Sequence, residues 1–184
     1  VAHHFDGGVP WNEALTGEAY PDDVIEELDM REGLTDPSVP AYIALSPFSI
    51  GRDDLAPTWG EAINMERTGD WATVRFSDPN VRTAYANFSV DLIERFSPTW
   101  FNYAVEASDY LIHQPEEWDN FVGFAQHVHD AIKAEHPDVQ LMISIALKHP
   151  NGPASAIVRE RFSDVLPYVD VVGVSVYPYA FFGL

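Results

Sequence analysis

The chain has 184 residues and no cysteine, and its 10 basic and 29 acidic side chains give a net charge of −19. That length supports one domain with its own core, and ordinary apolar and charged fractions (46% and 21%) argue against disorder. The acidity excludes broad attraction to nucleic acid or anionic membrane, and the missing cysteines exclude disulfides, thiolate nucleophiles and cysteine metal cages.

Apolar periodicity switches repeatedly between two and about 3.6 along the chain. A strand is predicted over 1–6, so the chain opens inside an apparent strand with no visible signal peptide. Residues 11–30 read as helical in part, broken around Gly17 and Pro21, and a second strand covers 41–48. Residues 49–77 form one long excursion containing Trp59, Trp71 and Phe76; a connection of that length is usually functional or carries its own hairpin. Asp78 as N-cap and Pro79 after it open a helix with the stripe Val81, Tyr85, Phe88, Leu92 and Phe96. A third strand covers 100–107. Pro115, Glu116 and Glu117 then suit the start of a helix over 116–136, with Trp118, Phe121, Val122, Ala125, Val128 and Ile132 on its apolar face and Pro137 ending it. A strand over 140–148, a helix over 154–166 and a strand over 170–177 complete the series. No apolar run approaches the roughly 18 residues of a membrane span, so no membrane insertion is expected.

Strands alternating with helices predict an α/β protein with a parallel sheet. Alternate residues of a strand point to opposite faces. In 141–148, Leu141, Ile143, Ile145 and Leu147 oppose Met142, Ser144, Ala146 and Lys148; in 171–177, Val172, Val174 and Val176 oppose Val171, Gly173, Ser175 and Tyr177. Phe101, Tyr103 and Val105 likewise oppose Asn102, Ala104 and Glu106. A doubly wound sheet needs bulk on both faces, whereas a barrel places bulk outward against its helices. The pattern therefore predicts a (β/α)8 TIM-type barrel with a small, polar interior. Five βα units fall short of the roughly 250 residues of a whole barrel. The expectation is a single partial barrel domain over 1–184, lacking its first and last strands.

Active sites of such barrels lie at the C-terminal ends of the strands. Those ends carry His4 and Asp6, Ser46-Pro47-Phe48, Glu106 and Ser108, Lys148-His149, and Tyr177-Pro178-Tyr179. Glu106 is the sharpest candidate, since a partly desolvated carboxyl group at an inward strand end suits a general acid. The structural alternative is a solvated glutamate or a salt bridge to Lys148. His4 and Asp6 stand two apart on one strand and suit sugar hydroxyls or the beginning of a metal site, but no second ligand cluster has matching spacing, so no metal and no cofactor are assigned. His127 and His129, two apart on a helix, read as surface residues. Aromatic side chains make up 13% of the chain; Trp118 reads as core, while Trp11, Trp59, Trp71, Tyr177 and Tyr179 fall where flat faces can stack on sugar rings or simply pack. No phosphate-binding glycine loop and no serine-hydrolase elbow is present.

The segments Phe101-Asn102-Tyr103-Ala104-Val105-Glu106 and Asp170-Val171-Val172-Gly173-Val174-Ser175-Val176-Tyr177-Pro178 resemble the clan A glycoside hydrolases, nearest to the endo-β-1,4-galactanase-like group. In that clan the fourth barrel strand ends with the acid/base glutamate and the sixth often ends in a Ser-x-Tyr-Pro-like stretch. One strand, 140–148, separates the two segments here, as the resemblance requires, so the strands present correspond to the second through the sixth. The resemblance implies retaining cleavage of a neutral poly- or oligosaccharide, with Glu106 as acid/base and His4, Asp6, Trp11, Asn102, Lys148 and Tyr177 around the substrate. It also implies an extracellular or periplasmic setting. Two departures stand out: Val105 occupies the position where the clan has Asn, and the nucleophile glutamate belongs on a seventh strand, beyond Leu184. A catalytically inactive carbohydrate-binding barrel is the first alternative and a metal-dependent barrel hydrolase the second. Nothing in the sequence sets an oligomeric state.

Overall fold

A computed structural model describes residues 1–149 and 151–177. Five parallel strands form one sheet in the order of the chain: β1 (Ala2–Phe5), β2 (Tyr42–Leu45), β3 (Trp100–Ala104), β4 (Gln140–Ala146) and β5 (Val171–Ser175). The helices are α1 (Trp11–Thr16), α2 (Asp22–Gly33), α3 (Pro79–Phe96), α4 (Ala107–His113), α5 (Trp118–Glu135) and α6 (Pro153–Arg161), with short 3-10 stretches at Gly69–Trp71, Pro115–Glu117 and Phe162–Tyr168. Consecutive parallel neighbours with a helical crossover at each step make an arc of a (β/α) barrel, as the alternating periods predict. The break around Gly17 and Pro21 is real: Gly17 takes a left-handed conformation after α1, and α2 starts after Pro21. Asp78 caps α3 by accepting the Asn80 N–H at 2.8 Å, with Pro79 at its first position.

The two faces of the sheet differ as expected. Phe5, Ile43, Phe101, Leu141 and Ile143 point outward and are buried under helices. Lateral pairing places His4 beside Ala44, Ala44 beside Asn102, Asn102 beside Met142, and Ser144 beside Gly173 on the inner face. That face is small and polar. The stripes of α3 and α5 supply the outer core: Val81, Tyr85, Phe88 and Leu92 from one, Trp118, Phe121, Phe124 and Ile132 from the other.

Tyr85 links that core to the functional end of the sheet. Its hydroxyl donates to the Tyr103 carbonyl at 2.8 Å and lies 3.1 Å from the Leu45 carbonyl, at the ends of β3 and β2. Complete burial pushes the phenol far above its ordinary titration range, so it remains a donor at any ordinary pH. Tyr85→Phe is expected to lower unfolding stability by about 1–2 kcal/mol, because buried carbonyls lose a donor without gaining water. A urea titration comparing midpoints at unchanged slope checks this.

At the opposite end of the sheet, Asp170 accepts the Leu141 N–H at 2.8 Å and pairs with Lys133 at 2.7 Å. Partial burial works against its charged form, but the Lys133 contact and the Leu141 N–H outweigh burial and hold the carboxyl below its ordinary value. A carboxylate with a depressed folded pKa stabilises the fold above its unfolded pKa and loses that contribution as protons bind the folded state. The stability difference between the wild type and Asp170→Asn is therefore expected to be steady near neutrality and to close as the pH falls below about 4. Thermal midpoints across pH 2–7 on the two proteins, spanning that window, check the closure.

The excursion over 49–77 is a folded loop. Its ends are cinched by Phe48 and Phe76, whose rings meet edge to face at 5.6 Å inside a cluster with Tyr110, Phe121 and Phe124. Isolated antiparallel bridges join Phe48 to Leu55 and Thr58 to Met65 within it. A parallel bridge from Val9 to Thr58 ties the loop to the segment after β1.

Candidate active site

Glu106 stands at the C-terminal end of β3, but not by simple alternation. Asn102 pairs with Met142, and the next partners are Ala104 and Ile143, so a bulge at Tyr103 shifts the register by one residue. Ala104 thereby aligns with outward-facing Ile143, and the expectation that Glu106 shares a face with Ala104 is corrected. Glu106 reaches the mouth instead through a left-handed backbone (φ 57°, ψ 41°) just before α4. Its N–H donates to Ser144 Oγ at 2.9 Å on the inner face of β4.

Both carboxylate oxygens of Glu106 have partners. The Tyr177 hydroxyl donates to Oε1 at 2.5 Å, and Arg52 Nη2 lies 3.6 Å from Oε2. Tyr177 follows β5, so two strand ends meet across the mouth. The hydrogen bond to Glu106, then burial, raise the Tyr177 phenol above its ordinary value. Arg52 comes from the long loop. The Glu106 side chain is only 12% exposed, which makes it a held group and not a solvated loop glutamate. Lys148 does not serve as its counter-ion: its ammonium meets Asp109 on α4 at 2.7 Å.

The other sequence candidates divide into two groups. His4 and Asp6 are exposed on the inner side of β1 and its end, with the His4 ring 5.6 Å from that of Tyr42. Asp6 lines a cleft of about 250 Å³ with Gly8, Ser46, Phe48, Arg52 and Asn64. Tyr177, 55% exposed, offers an aromatic surface beside Glu106. Trp11, expected to line a sugar subsite, is fully buried, donates from Nε1 to the Ala56 carbonyl at 3.2 Å and stacks on Trp71. It supports the loop from below and presents no face to a ligand. Asn102 is also buried, and its amide is committed internally. With its oxygen turned to the two hydroxyls it accepts from Tyr42 at 2.9 Å and Ser144 at 3.2 Å, while its nitrogen donates to the Met142 and Ala104 carbonyls. Asn102 thus supports Ser144, which in turn holds the Glu106 backbone. Ser108 accepts the Ala146 N–H at 2.9 Å and docks α4 on β4. Pro178 and Tyr179 lie outside the described residues.

Arg52 and Ser144 were not singled out from the sequence. Ser144 was placed on the correct face, whereas Arg52 sits in a loop whose pattern carries no directional signal. A larger hollow of about 540 Å³ opens at the other end of the sheet, between the segment before β2 and the end of α3. It lies away from the strand C-termini and from Glu106, so the smaller cleft is the candidate site. Among the described residues no group of three His, Asp or Glu side chains is placed to hold a metal ion, and no helix is long and apolar enough to cross a membrane.

No family model matches the chain, and no curated protein matches its sequence. Among solved structures the chain is similar to the Ignisphaera aggregans GH53 catalytic domain, with 15% identity and a TM-score of 0.56 over 86% of this chain and 43% of that one. The chain spans less than half the length of the structure it matches. At that identity the likeness concerns fold. It supports the partial (β/α) barrel expected from the alternating strands and helices.

Proposed function

We propose that this barrel acts on glycosidic bonds of a neutral poly- or oligosaccharide, with Glu106 as general acid/base. The observation that carries this reading is the placement of Glu106: a mostly buried carboxyl group at a strand C-terminus, clasped by Tyr177 and by Arg52, which also lines the neighbouring cleft. His4, Asp6 and Tyr177 line the path of the sugar, with exposed polar and aromatic groups suited to hydroxyls and ring faces. Cleavage protonates the leaving oxygen from a carboxylic acid while a second carboxylate attacks the anomeric carbon; in retaining enzymes the two groups stand about 5–5.5 Å apart. This mechanism draws its second carboxylate from outside the described residues. The substrate proposed is a carbohydrate, and the setting proposed for such an enzyme is extracellular or periplasmic.

Val105 favours a second reading. Where the clan resemblance calls for Asn beside the acid/base, this chain has an apolar side chain that is 9% exposed and cannot hydrogen-bond a sugar hydroxyl. The second reading is an inactive barrel that binds carbohydrate. Turnover and binding of the full-length protein on a panel of neutral glycans that includes β-1,4-galactan, with and without Glu106→Gln, separate the two.

A further inference from the structure

Among the described residues four non-glycine positions adopt a left-handed backbone: Arg52, Asn64, Ser97 and Glu106. Ser97 ends α3. The other three converge on the mouth, where Arg52 and Asn64 line the cleft and Arg52 meets Glu106. An L side chain at positive φ costs free energy and persists where its surroundings over-determine it; such positions cluster at functional sites.

Arg52 is over-determined in this way. Its N–H and its Nη1 both donate to the Ser49 carbonyl at 3.0 Å, and His113 Nδ1–H donates to its carbonyl at 3.2 Å. Gln114 Nε2 donates to the next carbonyl, of Asp53, at 2.8 Å, and Ser49 Oγ holds the Asp53 carboxylate at 2.7 Å. The helix α4 thus acts as a strut. Glu106 immediately precedes it, and the residues at its far end grip the turn that carries Arg52. A guanidinium that merely decorated a turn would point into water. That of Arg52 is 15% exposed, and its Nε is buried with no hydrogen-bond partner, a cost that the turn itself does not require.

We propose that Arg52 is a positioning residue for Glu106. Tyr177 holds Oε1 and Arg52 restrains Oε2, so the carboxyl plane is fixed between the loop after β2 and the end of β5. The inference rests on Glu106 being the working carboxyl group.

Arg52→Gly tests it, because glycine removes the guanidinium and also relieves the positive φ. In the full-length protein, assayed on the glycan that the wild type cleaves, kcat is expected to fall about ten-fold or more with KM changed less than about three-fold. The thermal midpoint is expected to stay or rise, and Arg52→Lys to recover part of kcat. Undiminished kcat in Arg52→Gly, a loss of kcat that merely follows a loss of fold, or a lysine variant no better than glycine overturns the proposal. Loss of turnover in Glu106→Gln together with full kcat in Arg52→Gly overturns this inference alone; full turnover in Glu106→Gln removes the reading of Glu106 itself. A crystal structure of Arg52→Gly answers independently of turnover. The Glu106 carboxyl is expected to leave its seat or to occupy more than one, and a carboxyl unmoved against Tyr177 overturns the proposal.

Discussion

Glu106→Gln is expected to reduce kcat of the full-length protein by a factor of about 10²–10⁴ while leaving glycan binding nearly intact. Glutamine keeps the shape and both polar atoms of the side chain but cannot release a proton to a leaving oxygen. The site tolerates the exchange. The amide oxygen can face Arg52, and its nitrogen can donate to the Tyr177 oxygen, since a phenol accepts as well as donates. The loss should be smaller for aryl glycosides whose leaving group departs without protonation, because only the proton-transfer contribution is removed. Parallel kinetics and calorimetric binding make the check. Unchanged turnover sinks the assignment of Glu106. Binding without turnover in both proteins favours the inactive carbohydrate-binding barrel, and absence of glycan binding in both sinks the carbohydrate reading.

The fold was largely legible because its signals are local. Every predicted strand has an observed counterpart within a few residues, since apolar alternation, Gly17, Pro21, Asp78-Pro79 and Pro115 each act on their own neighbourhood. The inward face was legible for the same reason, as Met142, Ser144 and Gly173 show. The short helix α4 was missed: Ala107–His113 is only seven residues long and directly follows a strand, too short for a period to emerge.

The site was legible in part. Glu106 was placed correctly in space but through the wrong geometry, because strict alternation cannot register a bulge at Tyr103. Trp11 and Asn102 have polar or aromatic groups at the right height, and the sequence could not show that Ala56, Trp71, Tyr42 and Ser144 use them up. Arg52 was invisible because its role depends on a loop fold created by contacts more than 50 residues away in sequence, with His113, Gln114 and Glu106.

That loop fold depends in turn on a backbone approach that only glycine permits. Gly8→Ala is expected to lower unfolding stability by roughly 3 kcal/mol or more. Gly8 follows β1 at φ +107°, and a Cβ there would lie 2.5 Å from the Pro57 carbonyl oxygen and 3.0 Å from the Thr58 carbonyl carbon. Neither atom can yield cheaply. The Pro57 carbonyl accepts the Val9 N–H at 3.0 Å, the Val9 carbonyl accepts the Trp59 N–H at 3.0 Å, and the Gly7 carbonyl accepts the Asn64 N–H at 2.7 Å. Gly17→Ala is the control: φ there is +75°, but nothing lies within 4 Å of the added Cβ, so it should cost about 1 kcal/mol from conformation alone. The difference between the two variants in denaturant titrations isolates the steric contribution, and equal losses would refute the close approach. Since the same bonds hold the loop over β1, folded Gly8→Ala should also carry Arg52 away from Glu106. Its turnover should then fall beyond what its stability loss explains, whereas that of Gly17→Ala should not.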